Sequence, residues 1–310
     1  KIDALNVEPC RKVIQDAFEQ NITHAPGMEH VREMVTGPII PTPGAVMECT
    51  KLLYEYLGDL IVLDVGGATT DLHSVTVESD QVARLMISPE PKAKRTVEGD
   101  LGVYVNRWKV VESIGEEKLR EQCREQGFSM EHALETYRAI PKTEEEVKLV
   151  ELLTREAVVK AAERHAGRLR YIYGPSGRST VAEGKDLTQV KYIVGTGGAL
   201  TRLPHREEIM REITRCNESG MLLLPGEHAQ ILVDHDYIMA SLGVLSKRYP
   251  QAAARLLEQS LGMTFPERKA EEPVPVCNKE LSRLETQRQQ REEELQRHIE
   301  ECEAMGYDMS

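Results

Sequence analysis

The most informative stretch of this sequence is Leu60-Ile-Val-Leu-Asp64-Val-Gly66-Gly67-Ala-Thr69-Thr70-Asp71. It opens with four consecutive apolar residues, which are typical of a strand buried on both faces of a sheet. The two glycines permit a tight turn, and apolar residues alternating with polar ones resume at Leu72. The stretch therefore predicts a central strand that ends near Asp64 and a β-hairpin that turns at Gly66 and Gly67.

The polar residues of this hairpin are suited to holding a phosphate together with Mg²⁺. Glycine amides can form an anion nest, and a carboxylate at the strand end can hold the waters of a metal ion. Threonine hydroxyls add donors, and Asp71 can fix the turn from behind. The alternative is a plain hairpin in which the two aspartates only form the turn. We favour phosphate binding, and the candidate residues are Asp64, Gly66, Gly67, Thr69, Thr70 and Asp71.

A second glycine cluster follows another apolar segment. The sequence predicts strand structure over 186–194, then Gly195-Thr196-Gly197-Gly198, then a helix over 200–215. A dinucleotide-binding fingerprint would need a further glycine where Leu200 stands, and a strand–helix–strand unit around it. From the residues alone, contact with a phosphate or nucleoside and close packing of a helix on a strand are equally favoured.

Helix-forming segments surround these two motifs. Residues 1–58 are predicted to be mostly helical, with Thr42 capping a helix that has Pro43 at its first position and ends at Gly58. The charged stretch 103–168 is predicted to be a helical insertion between sheet elements. The remaining predictions are loops over 95–102 and 173–180, a strand over 221–224, a helix over 237–247, a linker over 266–276 and a charged helix over 279–303.

Composition argues against several classes of protein. The 310 residues have room for about two domains. A net charge of −12 argues against duplex nucleic acid or an anionic membrane as the main partner, and 5% aromatic content argues against stacking on single strands. The sequence has no apolar stretch of the ~20 residues that a membrane span requires. The six cysteines form no CxxC pair, which favours a reducing, cytoplasmic location.

Several stretches resemble a known family. The hairpin motif is similar to the second phosphate motif of the actin-like ATPase superfamily (actin, heat-shock-70 chaperones, sugar kinases), and residues 194–198 are similar to its adenosine motif. The resemblance is closer still to the glutamate mutase L proteins, which are accessory, reactivating ATPases of adenosylcobalamin-dependent mutases. It covers about residues 1–262. The other matching stretches are 5–9, 40–43, 95–102, 164–167, 184–188, 195–202 and 237–246.

The resemblance implies a mixed α/β fold, namely an actin-like ATPase (ribonuclease H-like) lobe with a helical insertion. It also implies ATP and Mg²⁺ as cofactors. Asp64 would lie near the Mg²⁺ and hold it through water, Thr69 would lie by the γ-phosphate, and both would be catalytic. Gly66 and Gly67 would give their amides to the β- and γ-phosphates. The other nucleotide-binding residues that it implies are Thr70, Asp71, Glu98, Gly99, Asp100, Gly195, Thr196, Gly197 and Gly198.

One motif of the superfamily is absent from the sequence. The first phosphate motif, an Asp-x-Gly turn followed by Ser or Thr and then Lys, does not occur, and the chain begins at Lys1. We therefore expect about the first third of the protein to be missing, and we expect ATP hydrolysis from the full-length protein but not from this chain alone. The expected layout is a remnant of the first lobe and a connecting helix over 1–58, a second lobe over 59–262 with its insertion at about 103–168, and a linker with a charged helix over 263–310.

The implied function is that of an ATP-binding, chaperone-like reactivating factor. Its partner would be an adenosylcobalamin-dependent mutase such as glutamate mutase or a related aminomutase. A small-molecule kinase of the same superfamily is the alternative, and a pure interaction module is a weaker third possibility. Neither nucleic acid nor a membrane is expected as a partner.

Other polar residues have simpler structural explanations. His73 is expected to be a hydrogen-bonded histidine within a strand. His165 ends a predicted helix, where a cation interacts favourably with the helix dipole. Asp234 is expected to cap a helix rather than to bind a metal with the neighbouring histidines.

Overall fold

The structure is a computed structural model, and it describes residues 28–35, 39–174, 177–217 and 219–266, with residues 13 and 17 before them. These residues belong to the first of two compact units of the chain, Lys1–Arg268. The predicted charged helix, nearly all of the predicted linker and most of the predicted helical structure before residue 28 lie outside the described residues.

A mixed sheet of five strands forms the centre of the fold. The strands of the molecule are β1 (Leu60–Val65), β2 (Thr70–Val75), β3 (Ala93–Glu98), β4 (Arg168–Gly174), β5 (Gly177–Glu183), β6 (Tyr192–Thr196) and β7 (Gln230–Val233). The central sheet has the order β3-β2-β1-β6-β7, while β4 and β5 form a separate hairpin. Strand β1 is antiparallel to β2 and parallel to β6. The predicted mixed α/β fold and the predicted hairpin are confirmed.

Helices cover both faces of the sheet. They are α1 (Met28–Met34), α2 (Thr42–Leu57), α3 (Asp80–Ala83), α4 (Arg107–Ile114), α5 (Glu116–Glu125), α6 (Met130–Glu135), α7 (Glu144–His165), α8 (Gly197–Arg202), α9 (Arg206–Arg211), α10 (Met239–Ser246) and α11 (Pro250–Leu261). Helices α4–α9 share one hydrophobic core with the sheet, and α2, α10 and α11 share another. Within the described ranges, no helix has both the length and the apolar character needed to cross a membrane.

Strand β1 lies at the centre because both of its faces are apolar. Ile61, Leu63 and Val65 belong to the core with α4–α9. Leu60 and Val62 belong to the core with α2, α10 and α11. Since successive side chains of a strand point to opposite faces, an unbroken apolar run can only be buried between two layers. The strand therefore fixes the position of Asp64, its first polar residue.

The predicted helical insertion is largely helical, from Arg107 to His165. Its longest helix, α7, begins with a capping box in which the Thr143 hydroxyl accepts a hydrogen bond from the Glu146 amide, and the Glu146 carboxylate accepts one from the Thr143 amide. Helices α4–α7 bury their apolar residues in the same core as β1 and β2. The insertion therefore forms a layer on the sheet.

The structure corrects three strand predictions. Strand β3 occupies part of the predicted loop over 95–102. The sequence did not indicate this strand, because an edge strand with many polar residues shows no clear alternation. The predicted loop over 173–180 is instead part of the β4–β5 hairpin, whose residues are mostly exposed and so lack an apolar period. Residues 221–224 are not a strand, and the short strand β7 lies further along the chain.

Some predicted boundaries also differ. The predicted helix over 200–215 is interrupted between α8 and α9, where Pro204 cannot donate a helical hydrogen bond. Strand β6 begins only at Tyr192. Helix α2 begins at Thr42 itself with Pro41 at the cap position, so Thr42 is not the cap. The predicted end of this helix at Gly58 is confirmed, with φ 79°.

Helices α2 and α10 cross at Gly243. A Cβ atom placed on Gly243 would overlap the backbone of Ala45 in α2. The absence of a side chain lets the two helices approach closely, so that Met239 and Leu242 of α10 pack in the same core as Val46 of α2. The crossing therefore holds the layer that covers the polar end of β1.

We expect Gly243→Ala to lower the free energy of unfolding by about 1–3 kcal/mol, because the added methyl group forces α2 and α10 apart. At an unconstrained helical position the same change would stabilise the protein by roughly 1 kcal/mol. Ser241→Ala on the exposed side of α10 is the matched control and should change stability by less than about 0.5 kcal/mol. Urea denaturation of the three proteins makes the comparison, and a Gly243→Ala variant as stable as the wild type would contradict the predicted clash.

Candidate functional site

The hairpin turn at residues 66–69 has all of its carbonyl groups occupied. The Thr69 carbonyl accepts a hydrogen bond from the Gly66 amide at 2.9 Å. The carbonyls of Gly66 and Gly67 accept hydrogen bonds from amides of the segment 103–105 at 2.7–3.2 Å. Asn106 donates through Nδ2 to the Ala68 carbonyl at 2.7 Å. These contacts hold the turn in one conformation.

Three amides of the same turn, those after Gly66, have no partner in the described part of the chain. Within the described residues, the amides of Gly67, Ala68 and Thr69 donate no hydrogen bond, and Gly67 and Ala68 are exposed. A turn with occupied carbonyls and unoccupied amides presents positive partial charge to the solvent, as an anion-binding nest does. The free amides are compatible with an anion nest, and the binding of an anion by them stays a prediction.

The two threonines of the motif have different surroundings. The Thr69 hydroxyl donates to Asp71 Oδ2 at 3.0 Å, so Asp71 does fix the turn from behind, as predicted. Asp71 is buried, and its Oδ1 has no partner among the described residues. The Thr70 hydroxyl donates to the Leu101 carbonyl at 2.8 Å and is fully buried. The structure therefore does not bring the Thr70 hydroxyl to the side of the sheet where Asp64 and Asp71 lie.

The second glycine motif meets the first at Asp64. In the parallel register Asp64 pairs with Thr196, and Gly197 follows with φ 84°. A Cβ atom on Gly197 would lie 2.5 Å from Asp64 Oδ1 and 2.6 Å from the Val65 amide nitrogen. Only glycine fits this approach without strain. The two motifs, far apart in sequence, therefore form one site at the carboxyl ends of β1 and β6.

The remaining glycines of the second motif differ in their role. A Cβ atom on Gly195 would lie 2.6 Å from the sulfur of Met210, so this glycine serves the packing of α9 on β6. Gly198 is exposed and has open space around it. The packing alternative therefore applies at Gly195, and contact of Gly198 with a phosphate or nucleoside stays a prediction.

Asp234 joins this site from the end of β7. Its buried carboxylate accepts hydrogen bonds from the hydroxyls of Thr196 at 2.8 Å and Ser260 at 2.6 Å. It also accepts hydrogen bonds from the amides of Ile238 at 3.2 Å and Met239 at 3.0 Å at the start of α10. The cap position of α10 is Ile238, so Asp234 binds the start of the helix as predicted but from outside the cap position. No group of three or more metal-ligating side chains occurs within the described part of the chain.

Tyr237 is a residue of the site that sequence reasoning missed. It has φ 56°, and among the described residues it is the one non-glycine residue with a positive φ. Burial and the charges of Asp64 and Asp234 raise the pKa of its phenol, so it stays protonated at neutral pH. Its side chain is half exposed beside two carboxylates. The sequence contains no signal for this conformation, because tyrosine rarely adopts it.

The charge of Asp64 is held in an unfavourable environment. Burial, followed by the charges of Asp71 and Asp234, raises the pKa of Asp64 to about 6. No hydrogen bond to the Asp64 carboxylate is found among the described residues, in contrast to Asp234. An ionised Asp64 would therefore be stabilised by a cation placed beside it.

Glu98, Gly99 and Asp100 lie on the segment that supports the turn. Arg164 at the end of α7 donates to Glu98 Oε2 at 2.6 Å and to both carboxylate oxygens of Asp100 at 2.8 and 2.9 Å. The Gly99 carbonyl accepts from Asn106 Nδ2 at 2.8 Å. The structure thus ties Glu98 and Asp100 to α7 and Gly99 to Asn106, and the contact of these residues with a nucleotide stays a prediction.

The two histidines behave differently from what the sequence predicts. His165 is buried and is hydrogen bonded to Ser74 and Thr96 at 2.8 and 2.9 Å, and burial lowers its pKa. It is therefore neutral and cannot act as a cation on the helix dipole. His73 is fully buried, but neither ring nitrogen has a partner among the described residues, so its prediction as a hydrogen-bonded strand histidine is wrong.

The fold and the site define a class of protein: an α/β protein in which two glycine turns and three aspartates meet at the carboxyl ends of parallel strands. The chain belongs to the MutL protein family, whose family model matches residues 1–261, and the family predicted from the sequence is thereby confirmed. It is similar to "Protein MutL" of Clostridium tetanomorphum, at 35% identity over 273 residues. The alignment covers 84% of this chain, and the chain spans 59% of that curated relative.

We expect Asp64→Asn to stabilise the protein at neutral pH. The folded-state pKa of Asp64 lies above its ordinary value, so the folded protein binds the proton more tightly, and stability is lost as the pH rises from about 4 through about 6. The variant lacks this loss and should be more stable than the wild type by roughly 1–3 kcal/mol at pH 7.5, with the difference vanishing near pH 4.

Denaturant unfolding at a series of pH values measures this effect. Asp236→Asn is the matched control, because it removes the same charge from an exposed aspartate two residues after Asp234. Equal stabilities of wild type and Asp64→Asn at pH 7.5 would show that Asp64 is not desolvated in the folded protein.

Proposed function

We propose that this chain provides part of an ATP-binding site and that Mg²⁺ accompanies the nucleotide. The observation that carries the proposal is the hairpin turn, whose carbonyls are all occupied and whose amides at 67–69 have no partner among the residues that the structure describes. The unpartnered Oδ1 of Asp71 and the exposed backbone at Gly198 add polar groups to the same edge of the sheet. These groups fit a phosphate and a hydrated cation.

In this proposal the amides of Gly67, Ala68 and Thr69 bind phosphoryl oxygens. The carboxylates of Asp64 and Asp71 accept hydrogen bonds from water bound to the cation. When bound, Mg²⁺ supplies positive charge that neutralises the phosphates. Because burial already disfavours the charge of Asp64, this residue gains more from a nearby cation than a solvated carboxylate would.

Tyr237 and Gly197 order the other side of the site. The backbone of Gly197 lies against Asp64 and limits the positions that the carboxylate can adopt. The protonated phenol of Tyr237 offers a hydrogen-bond donor near Asp64 and Asp234. Both residues therefore favour an anionic ligand that approaches from the solvent side of the turn.

We further propose that the full-length protein is an accessory reactivating factor of an adenosylcobalamin-dependent mutase, such as glutamate mutase or a related aminomutase. The support is membership in the MutL family together with the nucleotide site proposed above. Nucleotide state would change the affinity for the mutase, since a ligand can shift a conformational equilibrium only by binding its two states differently. The cobalamin would belong to the partner, because the sequence has no Asp-x-His-x-x-Gly motif.

We place this function in the cytoplasm. Cys49, Cys123 and Cys216 are free thiols in the structure, which suits a reducing compartment. The acidic chain gives no support to nucleic acid or an anionic membrane as a partner.

We expect Asp64→Ala to weaken Mg-ATP binding by the full-length protein at least tenfold, because the water-mediated contact to the cation is lost. Titration calorimetry with and without Mg²⁺ measures the change, and Asp236→Ala serves as the control. Mg-ATP binding that Asp64→Ala leaves unchanged would show that the phosphates lie elsewhere.

We also expect retention of a mutase by the full-length protein to differ between ATP and ADP. A pull-down with glutamate mutase or a related aminomutase in each nucleotide measures this difference. Equal retention in both nucleotides, or tight cobalamin binding by this protein alone, would count against the reactivating factor and favour the small-molecule kinase.

A further inference from the structure

A cavity lies on the α2 side of the sheet, apart from the hairpin turn. It has a volume of about 370 Å³ and opens between the first half of α2, the edge strand β3 and the end of α10. This volume is within the range of about 300–1,000 Å³ that is common for sites of small ligands. Residues 64–71 and 195–198 do not line it. The cavity is therefore a separate feature from the site described above.

The polar lining of this cavity is positively charged. Three cationic side chains line it, and one carboxylate, that of Glu48, does so as well. Lys51 and Lys247 both pair with Glu48. Arg95 of β3 has no hydrogen bond or ion pair within the described residues, although its side chain is partly buried. A cavity with two positive charges in excess favours an anionic occupant.

The residue next to Arg95 in the sheet also lacks partners. His73 of β2 lies directly opposite Arg95 in the antiparallel register, so the two side chains share one face of the sheet. His73 is fully buried, and neither ring nitrogen has a hydrogen-bond partner within the described residues. Burial, and then the charge of Arg95, lowers the pKa of His73 to about 3, so the ring is neutral and can both donate and accept. Buried polar side chains without any partner are rare in folded proteins.

Arg95 lines the cavity, and His73 does not line it but lies directly opposite Arg95 on the same face of the sheet. The two side chains are therefore neighbouring polar groups for which the described residues supply no hydrogen-bond partner. The guanidinium of Arg95 offers several donors without an acceptor. The neutral ring of His73, which lies next to Arg95 in the sheet, offers one donor and one acceptor. Water alone could occupy a cavity of this size, but Glu48 is the one carboxylate among the lining residues, and the excess of positive charge would remain. Burial raises the pKa of Asp71 and the charge of Arg95 partly opposes this, but the two side chains form no ion pair among the described contacts.

We propose that this cavity is a binding site for a small oxyanion, a carboxylate or phosphate compound, held by Arg95 with Lys51 and Lys247 at the rim. The bound oxyanion, or a water molecule that it orders, supplies the hydrogen bonds that Arg95 and His73 lack. The site lies along β2 from Asp71, close to the proposed nucleotide site and distinct from it. The proposal does not depend on nucleotide binding.

Titration calorimetry of the full-length protein with inorganic phosphate and with succinate, in separate experiments, tests this site. We expect at least one probe to bind and Arg95→Gln to weaken its binding at least tenfold. Arg84→Gln is the matched control, since Arg84 is an exposed arginine that does not line the cavity. The probe that binds distinguishes a phosphate compound from a carboxylate compound.

A second measurement separates this cavity from the hairpin turn. Asp64→Ala impairs the proposed nucleotide site and should not weaken binding of the probe. In histidine-labelled wild-type protein, the ¹⁵N resonances of the His73 ring should shift as the probe saturates the site. This shift reports binding directly, whereas weaker binding by Arg95→Gln could also follow from an effect of the substitution on folding. Loss of ATP binding in Asp64→Ala with unchanged binding of the probe would confirm two sites.

Three results would overturn the proposal. The first is that neither probe binds the wild type. The second is that Arg95→Gln binds the probe as tightly as the wild type does. The third is that the His73 resonances stay in place at saturation. A probe that only Asp64→Ala affects would assign the anion to the hairpin turn instead of the cavity.

Discussion

The contact between Gly197 and Asp64 is the constraint on which the site depends. The parallel pairing of β1 with β6 places Thr196 beside Asp64, so the chain that leaves β6 must pass over the Asp64 carboxylate. This passage is possible because Gly197 has no side chain and adopts φ 84°. A larger residue would separate the two strand ends. The turn at 66–69, the second glycine motif and Asp234 would then no longer form one polar edge.

The three aspartates at this edge differ in how their charge is satisfied. Asp234 accepts four hydrogen bonds and holds the start of α10 in place. Asp71 accepts one hydrogen bond from Thr69, and its other carboxylate oxygen has no partner within the described ranges. Asp64 has no hydrogen bond among the described residues and a raised pKa. Asp234 is thus a structural carboxylate, whereas Asp64 is desolvated and lacks partners among the described residues. Desolvated groups of this kind are common at functional sites, where they lower the stability of the folded protein.

The polar side chains on the two faces of strand β2 differ in how many of their hydrogen bonds are formed within the described part of the protein. Its residues that face α7 are satisfied within the protein: Thr70 bonds to the Leu101 carbonyl, and Ser74 bonds to His165. Its residues that face α2 include Asp71 and His73, which keep polar atoms without a partner in the described part of the chain. Since alternate residues of one strand point to opposite faces, the same six residues serve both packing and polar contacts. The proposed nucleotide site and the proposed oxyanion cavity both lie on the α2 side.

The sequence by itself determined the central strand, the hairpin and the mixed α/β class, because an unbroken apolar run followed by two glycines allows few other structures. It also determined the family and the candidate residues of the turn. Only the tertiary structure decided that Thr70 faces away from Asp64, that the described residues give His73 no hydrogen-bond partner and that Tyr237 lies at the site. The polar edge strand β3 and the exposed β4–β5 hairpin were likewise not predictable, because a strand with little burial has no apolar period. The period of apolar residues shows which face of a segment is buried. The pairing of side chains between strands that are far apart in sequence depends on their register, which cannot be seen in the sequence of either strand alone.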